Sequence, residues 1–190
     1  MKIVFFTFYY PPDLCAGSFR AIALAQALSK RMKNDDELHI ITTHPNRYEN
    51  HRVKASDIEV HGNITIHRIS VPSHKSGMFS QARTFVTYAL ASYKLCNKLN
   101  PDFLIGTTSR LMTGVLTGLS ARKLGCKYFI DLRDIFSETI SDIFSQKNKL
   151  LGSISKKTFS LLERWLFNKA TGVNVVSEGF PEYFQTMGID

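Results

Sequence analysis

The chain has 190 residues, 44% hydrophobic and 21% charged, a formal net charge of +8 and a pI of about 9.5. That is one large domain or one lobe of a larger protein, with ample length for a core. No run approaches about 18 apolar residues, so no transmembrane helix is expected, and the Met1-Lys2-Ile3-Val4 start lacks the cleavage site of a signal peptide. The positive balance attracts phosphates of nucleotides, nucleic acid or anionic lipid, though it also serves solubility alone. No basic run with interleaved aromatics is present, so no nucleic-acid partner is expected. Cys15, Cys96 and Cys126 are odd in number and far apart, which reads as free thiols in a reducing cytoplasm. His39, His44 and His51 show no ligand spacing, so no metal is expected.

Lys2 to Phe8 is rich in aromatic and β-branched residues and reads as a central strand that stops at Pro11-Pro12. From Ser18 to Lys30, Ile22, Leu24, Ala25 and Leu28 fall at a helical period, with Ser18 as the expected N-cap. Glu37 to Thr43 is the next strand. The polar segment His44 to His61 reads as a long loop, and Asn63 to Val71 as a strand ended by Pro72. Phe79 to Leu99 has the pattern of a long helix. "FLIG" is a strand, Leu111 to Leu124 a helix stopped by Gly125, and "KYFIDL" a strand. Ser153 to Lys169 reads as a basic amphipathic helix, "GVNVV" as the last strand and Glu178 to Met187 as a short final helix. This alternation predicts an α/β fold, a Rossmann-like parallel sheet with helices on both faces, in one domain spanning 1–190.

In such sheets ligands bind beyond the carboxyl ends of the strands, where the strand order reverses. The residues there are Tyr9 to Ser18, Thr107 to Arg110, Arg133-Asp134 and Ser177 to Gly179. They are the small, polar and charged groups that a polyhydroxylated or phosphorylated ligand needs. Ala16, Gly17 and Ser18 leave a helix entrance free of bulk, where a phosphate can approach backbone N–H groups, with Arg20 adding charge. Gly17 serves equally for a tight strand-to-helix turn. No G-x-G-x-x-G is present, which excludes the dinucleotide fingerprint. Arg133-Asp134 reads either as a surface ion pair or as an ionised Asp able to orient a sugar hydroxyl or deprotonate an acceptor. Trp165 reads as core.

"FYYPPDLCAGSFRAIALAQAL" resembles the N-terminal signature of family 4 glycosyltransferases, which have the two-lobed GT-B fold. Ala16-Gly17 stands where that family often has Gly-Gly. "PDFLIGTTSRLMTGVLTGLSARKLGCKYFIDLRDIFSE" is similar to the family's second block, and "LERWLFNKATGVNVVSEGFPEYFQTMGID" to its third. The whole looks most like transferases of bacterial O-antigen and capsule assembly, including L-fucosamine transferases. One departure is "RMKNDDE" where the family usually has Gly-His before its second strand.

The resemblance implies a retaining transfer from a nucleotide sugar, UDP- or GDP-linked, with no further cofactor. It implies an N-terminal, acceptor-binding lobe, with the nucleotide-sugar-binding lobe lying beyond this chain. Gly17, with Ala16, Ser18 and Arg20 beside it, would meet the donor phosphates. Asp134 and Arg133 would sit at the reacting centre, and Ser109, Arg110, Ser177 and Glu178 on the acceptor side. The acceptor would be a polyprenyl diphosphate-linked or other saccharide, met in the cytoplasm at the anionic inner face of the membrane. Lys147, Lys149 and the basic helix would face the lipid. The alternative is a stand-alone, membrane-recruiting subunit of a split transferase, inactive by itself.

Overall fold

The computed structural model describes residues 1–46, 53–72, 78–108, 110–134, 149–177, 179–186 and 188. Seven strands form one sheet: β1 (Lys2–Phe6), β2 (Glu37–Thr43), β3 (Ile58–His61), β4 (Ile64–Ile69), β5 (Phe103–Thr107), β6 (Lys127–Leu132) and β7 (Gly172–Val175). The order is β3-β4-β2-β1-β5-β6-β7, parallel except for the edge strand β3, which pairs antiparallel with β4. The chain builds outward from β1 to one edge, then returns to build β5, β6 and β7 on the other side. The order therefore reverses between β1 and β5, whose Phe6 and Gly106 lie in register. The expected α/β sheet is what forms.

The helices are α1 (Ala16–Ser29), α2 (Met78–Leu99), α3 (Leu111–Leu124), α4 (Lys149–Lys169) and α5 (Phe180–Thr186). Strand alternation divides the core in two. Ile3 and Phe5 of β1 face α1, whose Ala21 and Ala25 are small enough to bring that helix onto Leu38, Ile40 and Ile105. Val4 and Phe6 face the other layer, packed with Tyr88 of α2, Val115 of α3 and Leu166 of α4. Each fully buried Phe or Leu contributes about 2–3 kcal/mol of transfer free energy. α3 is the central helix of its layer, so it is buried well beyond one stripe, through Thr113, Gly114, Thr117, Gly118 and Ser120. It approaches β5 because Gly106 has no side chain: a Cβ there would lie 2.1 Å from Thr117 Oγ1. Gly125 closes α3 in the left-handed conformation at φ 69°, as its position predicts.

Two expectations are corrected. The segment read as loop up to His61 contains β3, joined to β4 by the two-residue turn Gly62-Asn63, with Gly62 at φ 61°. β3 carries its exposed Ile58 and Val60 on the sheet edge, so it lacks the apolar burial that marks an inner strand. Ser18 is not the N-cap of α1. The helix starts two residues earlier, with Cys15 at the cap and Ser18 enclosed in the first turn.

Candidate functional site at the carboxyl edge

The loop after β1 is fixed from several sides. The Thr42 and Thr43 hydroxyls donate to the Phe8 carbonyl at 3.3 and 2.8 Å, and Tyr88 Oη donates to the carbonyls of Thr7 and Ile41. Phe8 packs edge-on against Tyr9 and Tyr88, with ring centroids 5.0 and 5.1 Å apart, and stacks on Phe85. Arg68 of β4 donates through Nη2 to the Pro11 carbonyl at 2.7 Å while its Nε meets Glu59 Oε1 at 3.2 Å. The strand therefore ends in a rigid wall of aromatic residues, followed by Pro11-Pro12, whose peptide bond is cis.

α1 begins beside that wall. Its N-cap residue, Cys15, makes no capping bond with its side chain, and no acid lies in its first turn. The first in-helix bond runs from the Phe19 N–H to the Cys15 carbonyl. The amides of Ala16, Gly17 and Ser18 thus have no partner within the helix, and the positive end of its dipole is not offset by a carboxylate of that turn. Gly17 and Ser18 are buried, and Ser18 Oγ has no hydrogen-bond partner among the described residues.

Arg20 turns away from this end. Its Nε and Nη2 donate to Oδ2 and Oδ1 of Asp131 at 2.7 and 2.6 Å, a bidentate pair joining α1 to β6. Asp131 is 1% exposed and also accepts from Asn174 Nδ2 of β7 at 2.8 Å. The hydrogen bonds it donates to Asp131 raise the Arg20 pKa further, so this guanidinium is fixed as a cation already neutralised by its partner. Its expected part in holding phosphate would be played in competition with Asp131.

Arg110 stands at the reversal point itself. It is the N-cap residue of α3, directly after β5, and is half-buried. Its guanidinium carbon lies 4.2 Å from the centre of the Phe8 ring, and Nη2 donates to Tyr9 Oη at 3.0 Å. It bridges the loops after β1 and β5, and among the described residues it forms no salt bridge with an acid. Thr108, fully buried, donates its N–H to the Asp131 carbonyl and accepts the Arg133 N–H at its Oγ1, each at 3.0 Å. This bond sets where the chain leaves β6. Arg133 is half-buried and Asp134 exposed, with no ion pair between them. Ser177 follows β7, where its Oγ accepts the Gly179 N–H at 3.4 Å. Ser109 and Glu178 lie outside the described residues.

The structure thus brings Ala16, Gly17, Ser18, Arg110, Arg133, Asp134 and Ser177 to the carboxyl ends of the sheet strands. Asp131 and Asn174 were missed by the sequence reading. Asp131 is a lone carboxylate in the apolar strand "KYFIDL", and that position alone calls for a buried partner. Among the described residues, no group of three or more His, Cys, Asp or Glu is arranged to hold a metal ion.

A family model described as "Glycosyl transferase 4-like domain" matches residues 21–190. The chain belongs to this glycosyl transferase 4-like family. No curated protein matches it. Among solved structures it is similar to a Siraitia grosvenorii UGT transferase in complex with UDP, with TM-score 0.54 and 14% identity over 96% of this chain. It is also similar to Glycyrrhiza uralensis UGT73P12 complexed with glycyrrhetinic acid 3-O-monoglucuronide, with TM-score 0.57 and 14% identity over 100% of this chain. At that identity the likeness is one of fold. The chain spans about half of those proteins, 46% and 47% of their lengths.

Proposed function

We propose that this glycosyl transferase 4-like domain is the N-terminal, acceptor-binding lobe of a retaining glycosyltransferase. It works with a nucleotide-sugar lobe to move a sugar from a UDP- or GDP-linked donor to a polyprenyl diphosphate-linked or other saccharide acceptor. The product belongs to surface polysaccharide of the O-antigen or capsule type, made at the inner face of the cytoplasmic membrane. The donor class is supported by the UDP bound in the Siraitia protein of the same fold. The observation that carries the reading is Arg110, a half-buried cation at the strand-order reversal, held by Phe8 and Tyr9 and joined to no carboxylate of the described residues.

In this reading the amino end of α1, at Ala16, Gly17 and Ser18, meets the donor diphosphate. Charge develops there as the leaving group departs, and donors fixed beforehand stabilise it without reorganisation. Arg110 holds the anionic or hydroxyl-rich part of the acceptor, and Ser109, Ser177 and Glu178 take the acceptor-side roles that the resemblance implies. Asp134, with Arg133, orients the acceptor hydroxyl and helps remove its proton. The test is Arg110→Gln in the full-length protein, assayed for transfer from a panel of nucleotide sugars. The acceptor KM should rise roughly tenfold or more, the scale of one lost charge-assisted contact. Unchanged acceptor and donor kinetics in a folded variant would remove the acceptor-lobe reading.

A further inference from the structure

A groove lies at the amino ends of the strands, across the sheet from the candidate site. Its volume is about 580 Å³, within the range of roughly 300–1,000 Å³ usual for small-molecule sites. It opens where α3 and α4 end and β6 begins. Arg122, Lys127 and Lys169 line it, and no carboxylate does. Its wall is Trp165, half-buried, with the ring laid against α3 at Gly118, where a Cβ would come within 3.0 Å of the indole. A larger residue at 118 would push the ring out of this position.

The helices beside it repeat the same chemistry, and the exposed Asp102 is an acid close enough to act on Cys126 of the lining. α2 and α3 contain no Asp or Glu, and the one acid of α4, Glu163, is fully buried. The exposed residues of this three-helix layer include Lys94, Lys98, Lys123 and Arg164, with Leu90, Leu119 and Leu161 between them at 49–59% exposure. Cations alone suit any polyanion. Cations interleaved with exposed leucines, beside an indole, suit a surface that offers anions above and hydrocarbon below. A nucleic-acid backbone gives the leucines nothing.

We propose that this groove binds the phosphate of an anionic phospholipid headgroup, seated among Arg122, Lys127 and Lys169 with Trp165 at the acyl boundary. The site rests on the membrane contact in the proposed function and gives it a definite place, separate from the transfer cleft.

Trp165 is the only tryptophan of the chain, so its emission reports the groove directly. Phosphatidylcholine vesicles with and without phosphatidylglycerol would be added to the protein, following co-sedimentation and Trp165 emission together. Binding and a blue shift are expected only with phosphatidylglycerol. Arg122→Gln with Lys127→Gln, both at exposed positions, should weaken binding by roughly 30-fold, as two cations near a membrane surface do, and abolish the shift. Lys94→Gln with Lys98→Gln removes equal charge from α2 and should cost only a few-fold while keeping the shift. Equal losses in the two double variants would overturn the groove and leave a general electrostatic membrane contact. No sedimentation with phosphatidylglycerol vesicles would overturn the groove and the membrane contact together. The same blue shift with inorganic phosphate, or tighter retention by duplex DNA at the same salt, would overturn the lipid assignment.

Discussion

Arg20 and Asp131 are more than 100 residues apart in sequence, and their pairing holds the first turn of α1 over β6. Arg20→Met keeps most of the side-chain volume and leaves the Asp131 carboxylate at 1% exposure, with Asn174 as its remaining side-chain partner among the described residues. Removing one member of a buried pair costs about 3–5 kcal/mol. The Arg20 side chain is 35% exposed, so water already screens part of the attraction, and the lower end, about 3 kcal/mol, is expected. For a chain of this length each kcal/mol moves Tm by about 2–4 °C, which gives a fall of about 6–12 °C. Asp131→Asn is expected to cost less, about 1–2 kcal/mol, because the neutral amide can still accept from Asn174 and Arg20 can turn into solvent. The double variant should recover at least half of the Arg20→Met loss, since no charge is then left buried. Urea unfolding of the four proteins measures the cycle. A loss from Arg20→Met no larger than that from Asp131→Asn, or strict additivity in the double variant, would refute the account of Asp131 as a buried charge held by Arg20.

Four further outcomes are expected. Gly106→Ala places a Cβ 2.1 Å from Thr117 Oγ1 and should destabilise by about 3 kcal/mol, the upper end for overpacking, with partial recovery in Gly106→Ala/Thr117→Ala by thermal melting. Burial and the nearby His39, whose Nδ1 lies 3.0 Å from His67 Nε2, lower the His67 pKa below its ordinary value. The stability this gives is present above about pH 6.5 and is lost as pH falls below it, so His67→Gln should flatten the dependence of Tm on pH between about 6.5 and 5. In the full-length protein Gly17→Val should raise the donor KM or cut turnover without unfolding the chain, and unchanged kinetics would leave Gly17 a purely structural residue. Asp134→Asn should lower turnover by roughly 10²-fold with little change in Tm; full activity per folded molecule would take Asp134 out of the reaction.

Much of the fold was legible because its signals are local. Leu111 to Leu124 carries its period and its Gly125 stop, and "KYFIDL" its strand composition, within a few residues. What the sequence hid is what depends on distant partners. β3 has exposed apolar residues and only four positions, and becomes a strand by pairing with β4, although Gly62-Asn63 between two short alternating runs is a hairpin signal in its own right. Ser18 is a good cap by residue type, but Cys15 already has extended backbone at φ −147° and the helix starts there. Ala16, Gly17 and Ser18 could be read as candidates because phosphate sites at strand-to-helix turns follow from helix geometry, and the structure puts them at the start of α1. The use of Arg20 was not legible, since nothing near it in sequence announces Asp131.

The two arginines at the carboxyl edge are held in different ways, which only the fold explains. Both follow strand-to-helix turns, and both are long enough to reach a ligand. Arg20 is met by a buried carboxylate that a second strand also holds, so its charge is spent on joining α1, β6 and β7. Arg110 is met by a ring face and a phenol, which orient a guanidinium without neutralising it. Orientation by uncharged partners keeps the field of the cation directed outward, and half-burial keeps water from screening it fully. A cation so held suits the binding of an anion that arrives from solution, whereas one held by an acid suits a fixed joint. The joint fixes the start of α1 and the bridge fixes the loop after β1 against the loop after β5, so a ligand bound there as proposed would meet both loops already in position.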